Sequence, residues 1–99
     1  MKGTEFFLTG QVSAAGFPDW ICHRARLLNL TGWVSGSKMG VLRIVVCGPE
    51  PLIDAMEMAC SLGPADVLVE RIDARETTLA KAPNGFHLRG EAPGQLPNS

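Results

Sequence analysis

Apolar and polar residues alternate along several short stretches of the chain, and this period of two is the pattern of β-strands with one buried face. In the first stretch, Phe6 points to one face and Phe7 to the other. The alternation is imperfect in the fourth stretch, which predicts a β-bulge near Glu70 and Arg71. The predicted strands are residues 5–12, 32–36, 40–47 and 66–75, with a short last strand marked by Phe86 and Leu88.

Two longer stretches carry apolar residues at helical spacing. Residues 19–29 form the first predicted helix, with Ile21 and Ala25 on its inner stripe. The second helix follows the proline-rich break at residues 48–51 and ends near Leu62. The element order is therefore strand, helix, strand, strand, helix, strand and a short extra C-terminal strand. This order predicts an α+β sandwich of the ferredoxin-like βαββαβ type, in which two helices cover one face of an antiparallel sheet.

The length and composition fit one small folded domain. The chain has 99 residues, of which 45% are apolar, enough for a single hydrophobic core. Residues 1–90 form the predicted domain, and residues 91–99, with two prolines and a glycine, form a predicted flexible tail. The apolar runs are far shorter than the about 20 residues that a membrane-spanning helix needs. The beginning of the chain also lacks the pattern of a secretion signal.

The net charge and the number of cysteines indicate which partners the protein has and in which cellular compartment it works. The net charge is −1 and the pI is about 6.1, so the strong basic field of a nucleic-acid-binding protein is missing. Three cysteines at wide spacings indicate free thiols, which predicts a reducing, cytoplasmic setting. Cys22 and His23 are a poor metal pair because adjacent helical residues point about 100° apart. We expect no metal, no cofactor, no nucleic acid and no membrane partner.

The stretch from Gly10 to Trp20 joins the first strand to the first helix through small residues. Small side chains let backbone N–H groups converge, and the helix N-terminus adds partial positive charge, so the turn has the geometry of an anion site. Pro18 suits the first helical position, whereas the carboxylate of Asp19 opposes an anion. The alternative is a simple strand-to-helix connection. The candidate anion donors are the N–H groups of Ser13, Ala14, Ala15, Gly16 and Phe17.

The turn resembles the signature loop of the acylphosphatases, which runs Gly, a basic residue, Val-Gln-Gly-Val, a small or apolar residue, Phe and Arg. Gly10, Val12, Gly16 and Phe17 are in step with that loop. The resemblance spans roughly residues 5–90, and it implies the ferredoxin-like fold and the hydrolysis of acyl phosphates. Four later segments resemble family elements in the same order, namely Leu30-Thr31-Gly32-Trp33-Val34, Gly48-Pro49, Val69-Glu70-Arg71-Ile72 and Gly85-Phe86.

The resemblance also implies two catalytic residues, and this chain has neither. The arginine that grips the phosphate in the family corresponds to Pro18, and the asparagine that orients the attacking water corresponds to Gly36. Arg24 is a poor substitute because it lies six residues further along the helix, about 9 Å away, and points to another face. Lys38 follows Gly36 by two residues and is the cation best placed to bend toward the turn.

Two functions of different classes remain. The first is a catalytically degenerate acylphosphatase-like protein, a pseudoenzyme that acts as a binding or interaction module for a small anion such as phosphate or an acyl phosphate. The alternative is an active acylphosphatase that hydrolyses the carboxyl-phosphate bond with a rearranged site, using the N–H groups of residues 13–17 and Lys38. Pro18 and Gly36 favour the first function, and the retained Gly16 and Phe17 favour the second.

The sheet face away from the helices is predicted to carry an apolar cluster. Strand alternation directs Phe7, Val41, Val45 and Cys47 to this outer face. Contiguous exposed apolar side chains mark partner surfaces, so we predict a weak homodimer through Phe7, Val41 and Val45. The alternative is that the loop at residues 76–84, or the tail, covers the cluster.

Overall fold

A computed structural model of the chain describes residues 1–35 and 40–89, and these form two helices packed on one five-stranded sheet. None of the helices in these ranges is long and apolar enough to cross a bilayer. The elements are β1 (Lys2–Gln11), α1 (Phe17–Leu27), β2 (Thr31–Ser35), β3 (Val41–Cys47), α2 (Glu50–Leu62), β4 (Leu68–Thr78) and β5 (Phe86–Arg89).

The sheet has the strand order β4-β1-β3-β2-β5, and the first four of these strands pair antiparallel. This arrangement confirms the ferredoxin-like plan. The short extra strand β5 pairs parallel with β2, so the sheet is mixed at this edge rather than antiparallel throughout. Parallel strands need a long crossover between them, and here α2 and β4 lie within that connection.

The predicted bulge in β4 is confirmed and lies at Glu70. Thr9 of β1 faces Arg71, whereas the next residue, Gly10, faces Val69, so Glu70 is the extra residue. Gly10 has a φ of 128°, and a Cβ at this position would lie 2.5 Å from the carbonyl oxygen of Leu68. The glycine at the start of the signature-like loop is thus required by close backbone approach at the bulge.

The hydrophobic core lies between the sheet and the two helices. Alternate residues of β1 and β3, such as Phe6, Leu8 and Ile44, are fully buried on this face. α1 contributes Ile21 and α2 contributes Met56, as their helical spacing predicts. The three cysteines are free and buried, which agrees with the expected free thiols.

The outer face of the sheet is not the open apolar surface that the alternation predicted. Val45 has no exposed surface and Cys47 is 3% exposed, whereas Phe7 and Val41 are half-buried. A Cβ added at Gly3 would lie within 3.4 Å of both Cys47 Sγ and Leu79 Cδ1, so Leu79 lies beside Cys47. Part of the segment after β4 therefore covers this face, as the alternative interpretation held.

A buried carboxylate on the outer face is held by two arginines. Glu5 is 7% exposed and lies beside Val45 in the β1–β3 register. Its carboxylate accepts a hydrogen bond from Arg43 and lies 3.8 Å from the Nε of Arg75, which also stacks on Phe7. The two arginines compensate the charge of Glu5, and this explains why a carboxylate can be buried on the same face as Val45.

Candidate functional site

The turn between β1 and α1 is displayed at the surface with both of its ends anchored in the core. Val12 before the turn and Phe17 after it are each 1% exposed. Between them Ser13, Ala15 and Gly16 are exposed, and Ala14 packs partly against the core. Apolar anchors at both ends hold the small residues in place, so the turn is a preorganised part of the fold.

Two backbone hydrogen bonds define the turn and the beginning of α1. The N–H of Phe17 donates to the carbonyl of Ala14 at 3.0 Å, and the N–H of Trp20 donates to the carbonyl of Gly16 at 3.0 Å. The Phe17 N–H is thus already engaged, which makes Phe17 the weakest of the candidate donors. The remaining candidates are the N–H groups of Ser13, Ala14, Ala15 and Gly16.

Gly16 is the N-cap residue of α1, and the backbone conformation at this position does not require a glycine. Its φ is −85°, a value that any L-residue adopts, and no side-chain cap bond is formed there. A Cβ built at this position meets no atom within 4 Å. The space above the turn is therefore open, and a substitution at Gly16 can probe that space without disturbing the fold.

The charges on α1 stabilise the helix and oppose an anion at its N-terminus. Asp19 lies exposed in the first turn, while Arg24 and Arg26 lie in the last turn, which is the arrangement that complements the helix dipole. Pro18 is the second residue of the helix, after Phe17, rather than the first as predicted, and it supplies neither a side-chain donor nor an N–H. Among the described residues, the groups of this turn that can bind an anion are therefore backbone N–H groups, and the carboxylate of Asp19 opposes them.

The arginines of the chain are all engaged with partners other than the turn. Arg24 lies over the indole ring of Trp20, with its guanidinium carbon 5.0 Å from the ring centre. Gly36 and Lys38, the two positions of interest after β2, lie outside the described residues. The other five arginines contact the Phe86 carbonyl (Arg26, 2.7 Å), Glu5 (Arg43), Asp73 (Arg71, 3.2 Å), Phe7 (Arg75, 4.8 Å to the ring centre) and Trp33 (Arg89, 3.9 Å).

The thiols are poor nucleophiles at neutral pH. Burial raises the pKa of Cys22 and of Cys47, and it raises the pKa of Cys60 to about 12. His23 is exposed on α1 beside Cys22. In residues 1–35 and 40–89, no three His, Cys, Asp or Glu side chains converge as metal ligands. The described part of the chain thus offers backbone N–H groups, rather than a thiolate or a metal, as its candidate chemistry at this turn.

Concave surfaces lie elsewhere on the described part of the chain, and the sequence did not predict the two that follow. A cleft of about 480 Å³ lies on the outer face between Trp33, β5 and residues 79–84. A groove of about 360 Å³ lies between α2 and β4 and is lined in part by Asp54, Glu57 and Glu70. The local indication of the cleft in the sequence was Trp33, which lies on the outer face of β2, where polar residues are expected if the face is in contact with water.

Together, the βαββαβ order and the packing of both helices on one face of the sheet define a ferredoxin-like α+β protein. The family model of the acylphosphatases matches residues 4–88. This match covers most of the chain, and the chain belongs to the acylphosphatase family.

Individual relatives agree with this assignment. A protein named acylphosphatase from Acidiphilium cryptum (strain JF-5) is 41% identical over 69 residues, which cover 68% of this chain and 76% of that relative. Another, from Salinibacter ruber, is 34% identical over 82 residues, covering 83% of this chain and 86% of the relative. The crystal structure of acylphosphatase from Bacillus subtilis aligns with a TM-score of 0.82 over 90% of this chain and 99% of that chain. Its sequence identity is 24%, so this likeness shows the fold alone.

Proposed function

We propose that this protein is a catalytically degenerate member of the acylphosphatase family that binds a small anion, phosphate or an acyl phosphate, at the β1–α1 turn. The observation that carries the proposal is Pro18, which lies in the first turn of α1 and corresponds to the arginine of the family's signature loop. Proline supplies neither a guanidinium nor an N–H, so two donors to a phosphate are missing at one position.

The missing groups are those on which the reaction depends. Hydrolysis of an acyl phosphate is phosphoryl transfer to water, and the protein's contribution is positioning and charge stabilisation. Each charge-assisted hydrogen bond contributes about 1.5–3 kcal/mol. If two of them act in the transition state, their loss slows hydrolysis by about two to four powers of ten.

The described side chains supply no replacement at the turn. Each of the six arginines contacts another group, and Arg24 in particular lies over the ring of Trp20. At the position of the family's water-orienting asparagine, Gly36 has no side chain that can hold water. These departures support binding without efficient turnover, which is the behaviour of a pseudoenzyme.

Anion binding at the turn rests on the backbone. The N–H groups of residues 13–16 lie at the N-terminus of α1, where backbone donors and the helix dipole favour negative charge. Asp19 weakens this attraction by an amount comparable to a single helix-dipole interaction, about 0.3–1 kcal/mol. We therefore expect an affinity for inorganic phosphate in the millimolar range.

A second candidate function, active hydrolysis, is favoured by one observation. A protein named acylphosphatase is 41% identical to this chain over 68% of its length. On this interpretation Lys38 supplies the positive charge and the turn supplies the donors. The two functions are separated by the rate of hydrolysis and by the effect of removing Lys38.

The decisive experiment measures hydrolysis of benzoyl phosphate by the purified full-length chain. We expect a rate far below that of an active family member, and no further loss in Lys38→Ala. Pro18→Arg combined with Gly36→Asn is expected to raise the rate, and Asp19→Asn is expected to raise it further. Pro18→Ala is the matched control, because it restores the N–H and removes the ring without adding a cation.

Three outcomes would contradict the proposal. Turnover by the unchanged chain close to that of an active relative, with a loss in Lys38→Ala, would establish the second function. A rate gain in Pro18→Ala as large as in Pro18→Arg would show that the missing guanidinium is not the cause. Titration with inorganic phosphate that leaves the amide NMR signals of residues 13–16 unmoved would reduce the turn to a simple connection.

A further inference from the structure

The cleft on the outer face is a positively charged pocket in a protein whose net charge is −1. Among its described lining residues are the cations Lys81 and Arg89 and the imidazole of His87, and no carboxylate is among them. The whole chain carries 10 acidic and 9 basic residues, for a net charge of −1. Positive charge is thus concentrated at this cleft, which favours an anionic ligand.

The walls of the same cleft are largely apolar. Leu79, Ala82, Pro83 and the indole of Trp33 line it together with the charged groups. Its volume of about 480 Å³ lies within the range of about 300–1,000 Å³ that small-molecule sites occupy. An apolar wall with a few convergent polar groups is the general composition of such sites. The ligand that fits is therefore an anion with an apolar body.

Trp33 adds a donor that lacks an acceptor. Its indole Nε1 is buried and has no hydrogen-bond partner among the described residues. Buried donors in native proteins are nearly always satisfied, so this N–H calls for an acceptor that the described residues do not supply. The guanidinium of Arg89 lies over the indole ring, 3.9 Å from its centre, and its side chain is otherwise exposed.

The strands fix these groups relative to one another. Trp33 of β2 faces His87 of the parallel strand β5, and Ser35 faces Arg89. His87 Nε2 lies 2.6 Å from the carbonyl oxygen of Asn84, which ties the end of the 79–84 segment to β5. The cleft is therefore built on paired strands along one side and closed by a segment whose end is anchored.

We propose that this cleft is a second binding site, separate from the β1–α1 turn, for a small organic carboxylate with an apolar body. The carboxylate accepts a hydrogen bond from the indole N–H of Trp33 and pairs with Arg89. For this pairing the guanidinium of Arg89 turns from the face of the Trp33 ring onto the two carboxylate oxygens in a bidentate contact. Lys81 adds long-range attraction, and the apolar body packs against Leu79 and Pro83. The site lies on the opposite face of the sheet from α1, so it does not depend on the anion site proposed for the turn.

The test is binding of para-trifluoromethylbenzoate to the full-length chain, followed by fluorine NMR and by the indole N–H signals in proton–nitrogen spectra. The matched neutral probe is para-trifluoromethylbenzamide, which has the same apolar body without the charge. We expect the benzoate to bind at least about tenfold more tightly than the benzamide, since charge-assisted hydrogen bonds are about twice as strong as neutral ones. We also expect it to shift the Trp33 indole signal, which Trp33→Phe identifies by deleting it.

Variants locate the site. Arg89→Gln removes the pairing cation from an exposed side chain, and we expect it to weaken benzoate binding about tenfold. Trp33→Phe keeps an aromatic ring while removing the N–H, and it is expected to weaken binding about fivefold with an unchanged melting temperature. Arg71→Gln is the matched control, because Arg71 pairs with Asp73 on the far edge strand and should leave binding unchanged.

The proposal is overturned if benzoate and benzamide bind equally, or if Arg71→Gln weakens binding as much as Arg89→Gln. It is also overturned if benzoate shifts the amides of residues 13–16 while the Trp33 signal stays in place, because the ligand then occupies the turn. Excess inorganic phosphate distinguishes the two sites: it should act on the turn amides without displacing the benzoate from Trp33.

Discussion

Pro18 shows how one residue can be favourable for the fold and unfavourable for the family's chemistry. Its ring fixes φ at a helical value, and at the first turn of α1 its missing N–H breaks no helical hydrogen bond. The missing N–H and the lack of a guanidinium remove two phosphate donors from the turn. The sequence alone reveals this substitution, whereas the engagement of the Phe17 N–H by Ala14 depends on turn geometry that no local pattern specifies.

Two glycines in the signature-like segments are expected to respond oppositely to alanine. Gly32→Ala places a Cβ on the carbonyl of Val45 at a φ of 142°, so we expect a loss of more than about 3 kcal/mol in unfolding free energy. Gly16→Ala meets no atom and has a negative φ, so its unfolding free energy should change by less than about 1 kcal/mol. Urea denaturation of the two variants measures the difference.

The same pair tests the anion site. If phosphate sits over the turn, the methyl group at position 16 enters the open space that the anion uses, and phosphate affinity falls while stability does not. A Gly32→Ala chain as stable as the original would contradict the backbone crowding at β2 and β3.

Burial of Cys60 makes stability depend on alkaline pH. Burial raises the pKa of this thiol from 9.0 to about 12. Above about pH 9 the unfolded chain therefore releases a proton that the folded chain retains, and the unfolding free energy falls as the pH rises from 9 toward 12. Urea denaturation at several pH values should show this slope, and Cys60→Ala should reduce it. A slope that is unchanged in Cys60→Ala would assign the effect to other groups.

At the scale of elements, the periodic patterns located every helix and strand but not all of their ends. α1 begins at Phe17, two residues before the predicted start, because the buried ring of Phe17 packs into the core from the first helical turn. β4 extends to Thr78 because it pairs with β1 along the sheet edge, where exposed charged residues hide the alternation. The parallel pairing of β5 depends on a distant partner, which a local pattern does not encode.

A side chain from α1 holds β5 in place, and its removal should loosen that strand alone. Arg26 donates from Nε and from a terminal nitrogen to the carbonyl of Phe86, at 3.0 and 2.7 Å. Arg26→Met keeps the apolar stem and removes both donors. We expect amide hydrogen exchange in β5 to speed up about tenfold, since net hydrogen bonds to charged groups contribute about 1.5–3 kcal/mol.

Arg24→Met is the matched control on the same helix. Its guanidinium lies over Trp20 rather than on β5, so exchange in β5 should be unchanged. Equal acceleration in β1 of the Arg26→Met chain would mean that the whole domain is destabilised, which would contradict a local role.

At the scale of the whole molecule, a nearly neutral net charge conceals two surfaces of opposite character. α2 carries Glu50, Asp54 and Glu57 and no basic residue, and it lines the groove against β4. The cleft at Trp33 carries basic groups on the other face of the sheet. Composition excluded a strong basic field on average, but only the folded arrangement shows where the positive charge gathers.

Self-association through the outer face stays a prediction, and the structure limits its strength. Val45 is buried within the chain, so Phe7 and Val41 remain, and both are already half-buried. Their full burial contributes at most about 1.5–3 kcal/mol each, whereas association costs about 4–15 kcal/mol. We therefore expect a monomer at micromolar concentration and a dimer only in the millimolar range.

Light scattering over a concentration series checks this expectation. Phe7→Lys should remove the association at high concentration, because the new ammonium faces Arg43 and Arg75 of a second copy. We expect the chain to stay folded, because Phe7 is half-buried on the outer face and the hydrophobic core lies on the other face. Met58→Lys is the matched control, because Met58 is 63% exposed on α2, away from the outer face. A micromolar dimer, or equal effects of the two lysines, would place the contact elsewhere on the molecule. Unfolding of Phe7→Lys would instead show that Phe7 belongs to the packed interior.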